Sequence, residues 1–174
     1  MTKHMITRRL GRPALVAALA GGMLLTGVAP AAVAESATGA KGTLGPFGYG
    51  GLTLGMSAAK AQATGKIVRK TSGPCAGWDL KAHPTGRDRA GVYISKRRGV
   101  AMIFAPRGVK TPQGIGIGST GAQLKRAYPK LKESASGYPV AAVPGNPKAT
   151  YYFLLSRGKV TEVTLALNNQ DCAN

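Results

Sequence analysis

The stretch Gly50–Gly65 reads GGLTLGMSAAKAQATG, and Gln113–Pro129, 63 residues further on, reads QGIGIGSTGAQLKRAYP. Each begins with two aliphatic residues two positions apart, Leu52 and Leu54 in the first, Ile115 and Ile117 in the second. That alternation predicts a short strand. Gly55 and Gly118 follow, suited to a sharp turn because they lack a β-carbon. Ser57 and Thr120 then stand at helix N-cap positions, and Gln123 completes a capping box with Thr120. The first helix is expected over Ala58 to Thr64, with Gly65 as its stop. The second carries Leu124, Ala127 and Tyr128 on one stripe and ends at Pro129.

What comes after each helix is also parallel. GWDLKA, AGVYIS and GVAMIFAP follow the first; GYPVAAVPG, ATYYFLLS and KVTEVTLALN follow the second. Each is a short run bounded by Gly, Pro or charged turn residues, the pattern of an antiparallel meander. KRRG (Lys96 to Gly99) and SRGK (Ser156 to Lys159) fit hairpin loops in which glycine takes the positive φ. Ala105 to Gln113 reads as linker. The expected fold class is therefore α+β: two tandem units of a helix plus three strands, 49–105 and 113–174. They would form one sheet with helices on one face, because a single unit cannot close a core.

On these residues a resemblance can be stated. The strand–LGMS–helix opening at Leu54–Ser57 resembles the start of the BamE/SmpA-like unit. TPQGIGIGST with YP beyond it, and a cysteine near the end, is similar to a group of small actinobacterial secreted proteins. Tandem helix–sheet units are also similar in architecture to the β-lactamase inhibitory proteins, which block an enzyme by laying a concave sheet over it. The resemblance covers Gly50 to Cys172 and rests on a turn and a cap. It implies a fold, and it transfers no inhibitory contact residue to this chain.

The N-terminal 34 residues are expected to be a signal peptide. Lys3, Arg8, Arg9 and Arg12 make a basic start, Ala14 to Val28 is apolar, and Ala32–Ala34 supplies small residues for cleavage. The apolar run is shorter than the ~20 residues a spanning helix requires. Residues 35–48, small, polar and glycine-rich, read as a flexible leader. A single secreted domain over 49–174 remains, expected to be a monomer. Cys75 and Cys172 form an even count in an oxidising compartment, so one disulfide between them is expected.

The chain holds 24 Lys and Arg against six Asp and Glu, a formal charge of +18. Loss of the four basic residues of the signal peptide leaves 20 against six, or +14. That balance favours anionic partners, an acidic extracellular or cell-envelope protein or an anionic wall polymer. Nucleic acid is a poor match for an exported chain.

Catalytic signals are sparse. His83, in LKAHPTGRDRAG, has Asp79 and Asp88 nearby, too few ligands at unfixed spacing for a metal site. With one histidine beyond residue 34, a nucleophile–base–orienter set is improbable. GIGIG at Gly114–Gly118 lacks the Lys and Ser/Thr of a phosphate loop. No enzyme activity, cofactor or metal is expected.

Binding signals are better. The strands have two faces, and the stronger apolar set of each, such as Val100, Met102 and Phe104 or Tyr151, Phe153 and Leu155, should pack on the helices. A second face is then expected to hold Trp78, Tyr93, Ile103 and Tyr152. Basic turns should rim it: Lys96, Arg97 and Arg98, then Arg107 and Lys110, then Arg157 and Lys159. Aromatics ringed by arginine are the composition of protein–protein hot spots.

Overall fold

The computed structural model describes residues 42–173. The signal peptide expected over 1–34 lies outside the described residues. In chain order the elements are β1 (Gly48–Tyr49), β2 (Leu52–Thr53), α1 (Ala58–Ala63), β3 (Ile67–Arg69), β4 (Cys75–Leu80), β5 (Val92–Ser95) and β6 (Gly99–Phe104). Then come α2 (Gly121–Ala127), β7 (Lys132–Glu133), β8 (Pro139–Val143), β9 (Asn146–Ser156) and β10 (Lys159–Leu167). β1 and β2 form a small ribbon. The other eight strands make one antiparallel sheet in the order β3-β4-β5-β6-β10-β9-β8-β7.

The chain is therefore mostly β, and the expected α+β fold of two tandem units, each a helix plus three strands, is overturned. The helices span six and seven residues and bury one residue each, Ala61 and Leu124. Helices that short are marginal in isolation. Here caps and packing hold them: Ser57 Oγ accepts from the Lys60 amide, and Thr120 and Gln123 close the capping box in both directions. Strands also occur where none was expected, at Ile67–Arg69 and Lys132–Glu133. These two form the sheet edges. They are short and carry charge, which blunts unwanted edge pairing.

Register assigns the faces, since directly opposed residues of an antiparallel sheet project to the same side. Trp78, Val92, Ile103, Leu165, Tyr151 and Ala141 form one continuous row across six strands. All six are buried and belong to the core, together with Leu44, Leu52, Ala61, Leu124 and Tyr128. The helices and the segment ahead of them thus pack on this side. Tyr128 meets Tyr151 and Phe153 at ring-centroid distances of 6.0 and 5.3 Å.

The end of the expected flexible leader is instead built into the fold. Leu44 is wholly buried, its amide donates to the Lys110 carbonyl, and its carbonyl accepts from the Tyr151 hydroxyl at 2.8 Å. A leucine in a glycine-rich setting can fill a core gap when the rest of the sheet supplies one, and composition alone does not register that.

The disulfide between Cys75 and Cys172 is present. It ties the C-terminal tail to the start of β4. Among the described residues, no helix is long and apolar enough to cross a membrane.

Candidate functional site: an open sheet face with basic ends

The face opposite the core is built from two further rows. One runs Gly77, Tyr93, Met102, Ala166, Thr150 and Ala142; the other contains Phe104, Thr164, Tyr152, Val140 and Lys132. The central strand β10 contributes the small residues. Thr164 and Ala166 are buried beneath their larger neighbours and form a floor. Tyr93, Met102 and Phe104 stand on one side of it, Tyr152 and Leu154 on the other, all half-buried. Tyr93 and Phe104 pack edge to face at 5.9 Å, the arrangement aromatic quadrupoles favour. The result is a trough along β10 with aromatic walls.

Two residues expected on this face are not there. Trp78 and Ile103 lie in the core row, 3% and 0% exposed. For Ile103 the cause is a β-bulge. Tyr93 opposes Met102 but Ile94 opposes Val100, so Ala101 is an extra residue on β6. A bulge shifts the side-chain phase along a strand. Val100 therefore faces the core while Met102 and Phe104 face outward, against the simple alternation. Phe104 was missed as a surface residue for the same reason. Trp78 alternates cleanly with Gly77 and Asp79, and pairing with Val92 sends its ring inward. Its indole Nε1 is buried without a hydrogen-bond partner, and the Arg69 guanidinium sits 5.7 Å over the ring.

Tyr93 and Tyr152 do occupy the open face, and Lys96, Arg97, Arg98 and Arg157 are exposed. The basic residues form no single rim. Lys96–Arg98 sit on the β5–β6 turn, which Ser95 Oγ organises by accepting the Arg97 and Arg98 amides at 3.0 and 3.1 Å. Arg97 and Arg98, with Lys148 and the end of β10, line a cleft of about 600 Å³. Arg157 lies at the other end of β10, where it shares a cleft of about 420 Å³ with Arg107 and Lys159.

The β4–β5 loop, residues 81–91, stands against the open side. Asp79 and Glu162 project from that face and anchor it. Asp79 accepts from the Thr85 amide and hydroxyl at 2.9 and 2.6 Å and pairs with Lys70 at 3.1 Å. Burial alone would raise the Asp79 pKa; the Thr85 hydrogen bonds and the Lys70 ammonium outweigh it and hold the carboxyl below its ordinary value. Glu162 pairs with Arg89 at 2.6 Å. His83 Nε2 is 3.1 Å from the Tyr49 hydroxyl.

These contacts bear on chemistry. Asp79 and Glu162 are each committed to a basic partner, and His83 faces a phenol whose pKa burial raises. Cys75, Cys172 and Asp171 place donor atoms within 4.8 Å of one another, but both sulfurs are used in the disulfide, and a metal requires thiolate. No known protein family, curated protein or solved structure matches this chain.

Proposed function

We propose that this chain is an exported binding protein that docks on an acidic extracellular protein through its open sheet face, and that it acts by association and not by turnover. One observation carries the reading: the β10 trough, a small-residue floor between Tyr93, Met102 and Phe104 on one side and Tyr152 and Leu154 on the other. Adjacent strands lie ~4.8 Å apart, so the six strands from β4 to β8 give a face roughly 24 Å across. Rigid aromatics on a sheet can form a hot-spot cluster at little entropic cost, because their backbone is already held.

Charge selects the class of partner. Basic clefts flank both ends of the trough, so a complementary surface carries carboxylates around an apolar centre. The extracellular setting rests on the basic and apolar signal-peptide pattern of the first 34 residues and agrees with the single cystine. Inhibition of an exported enzyme is one form such docking takes.

The test is affinity capture from the secreted proteins of the cells that make the chain, using immobilised wild type and Tyr152→Ala. A partner is expected in fixed stoichiometry on the wild type that survives a wash at about 1 M salt, where the Debye length falls to ~3 Å. Tyr152→Ala should lose it while keeping the wild-type melting temperature. Equal retention by the variant, or complete elution by salt, overturns the reading.

A further inference from the structure

The cleft beside the β9–β10 turn has features the trough lacks. Its base is the start of β10, whose edge away from β9 receives two segments in turn. The Ala105 amide donates to the Val163 carbonyl, which places Ala105–Arg107 at that edge. Nearer the turn, the Gly118 amide donates to the Val160 carbonyl, the Val160 amide donates to the Ser119 carbonyl, and Thr120 bridges to Lys159. Arg107, Ile117 and Thr161 line both this cleft and a neighbouring one of about 410 Å³ that reaches Arg89 and Glu162. The two form one elongated groove.

Its charge is uncompensated. Glu162 is the acidic residue lining the groove, and Arg89 neutralises it. The ion pairs among the described residues are Lys70–Asp79 and Arg89–Glu162, so Arg107, Arg157 and Lys159 have no acidic partner there. Three cations brought together without a counter-charge raise the local potential for an anion.

A second, independent observation singles out Arg157. It is the one non-glycine residue with positive φ among those described, at 50°, and Gly158 follows at 73°. Two consecutive positive φ angles make the tight hairpin turn that Asn-Gly, Asp-Gly or Gly-Gly serve best. A long side chain with a β-carbon is disfavoured there, and strained backbone concentrates at sites of function. The turn is also held in place, because the Gly121 amide donates to the Gly158 carbonyl at 2.9 Å.

We infer that this groove binds a linear phosphate-bearing polyanion, with Arg107, Arg157 and Lys159 contacting successive anionic groups. Guanidinium forks match phosphate oxygens two at a time, and two of the three cations are arginines. A polymer fits better than a protein because the cleft that holds Arg107, Arg157 and Lys159 has no aromatic lining, Phe104 standing only in the neighbouring cleft, and protein docking requires aromatic anchors. The groove shares Phe104 with the trough wall and is one of its two basic ends, but the phosphate assignment rests on the three cations and the Arg157 turn and not on the trough.

The experiment measures binding of the full chain to inorganic polyphosphate by fluorescence titration over a range of salt. Orthophosphate tests whether one phosphate suffices, and polyglutamate tests whether carboxylate substitutes. Arg157→Asn is the informative variant, since asparagine suits the turn and should leave the melting temperature equal or higher. Its polyphosphate affinity is expected to fall about tenfold, with the salt slope reduced by roughly one contact. Arg97→Asn removes the same charge at the opposite end of the sheet and should change affinity less than about twofold, the small long-range effect of one charge. Arg107→Gln, at an exposed side chain, should repeat the loss and stands in if Arg157→Asn lowers the melting temperature. Equal losses for Arg97→Asn and the groove variants, or no loss for either groove variant, overturn the inference. So does tighter binding of polyglutamate than of polyphosphate.

Discussion

The Lys70 ammonium lies 3.1 Å from Asp79 Oδ2, and together they organise the 81–91 loop. Lys70 Nζ also donates to the carbonyls of Gly86 and Arg89 at 2.6 and 2.7 Å and to the Thr85 hydroxyl at 2.9 Å. Removing the cation leaves the buried Asp79 carboxylate without its counter-charge and the Thr85, Gly86 and Arg89 carbonyls without their shared donor. Breaking a buried pair costs ~3–5 kcal/mol, and the lysine side chain is 19% exposed. Lys70→Met should therefore lose about 3 kcal/mol in urea unfolding, the lower end of that range. Amide exchange in residues 81–91 should accelerate well beyond that in β9 and β10.

The same cluster sets an acid limit. Asp79 has a folded pKa below its unfolded value, so it favours the folded state above the ordinary carboxylate pKa of ~3.9. That contribution should vanish as pH falls from there through the lower folded value. Asp79→Asn should flatten the acid limb of the stability profile in that window and leave the limb above it parallel to wild type.

At the alkaline end the tyrosines of the core decide. Burial pushes Tyr128 up to about 12 and Tyr151 higher still, the latter helped by the neighbouring Tyr128. In the unfolded chain both ionise near ~10. Their stabilising effect is complete below that pH and is lost as pH rises toward 12 and beyond. Tyrosinate absorbance should show two of the six tyrosines ionising late, together with unfolding. Tyr151→Phe should remove one late proton.

Gly99 sits where the Gly55–Met56 backbone crosses the start of β6. A β-carbon there would lie 2.5 Å from both the Gly55 and Met56 carbonyl oxygens, and φ is 72°. Positive φ alone costs a side chain ~1 kcal/mol, and the approach to backbone leaves no flexible atom to move. Gly99→Ala is expected to destabilise by about 2–3 kcal/mol, overpacking being added to strain. Gly55→Ala, whose β-carbon would meet nothing within 4 Å, should lose only the ~1 kcal/mol of strain.

Cys75 and Cys172 are 97 residues apart. Closing a loop of that size should contribute roughly 4–5 kcal/mol through the unfolded state. Replacing both with serine should lower the urea midpoint accordingly, and reductant should then have no further effect on the variant.

The positions that could be read from the linear chain share a cause. Gly55, Gly99, Gly118 and Gly158 all take positive φ, Ser57 and Thr120 cap their helices, and Tyr151 and Phe153 alternate with Tyr152 and Leu154 between core and surface. Each depends on the sterics and hydrogen bonds of a few adjacent residues. The cystine was legible because two cysteines allow one pairing.

What was misread depends on contacts between distant residues. Ile103 moved to the core because one extra residue, Ala101, is accommodated opposite Tyr93 and Ile94. Lys96–Arg98 and Arg157 went to opposite ends because β10 runs antiparallel to both β6 and β9. Leu44 joined the core because the Tyr151 hydroxyl and the Lys110 backbone were there to receive its carbonyl and amide. Turns and caps are written in neighbouring residues, whereas the side of the sheet a residue faces follows from register, and register is set only when remote strands meet.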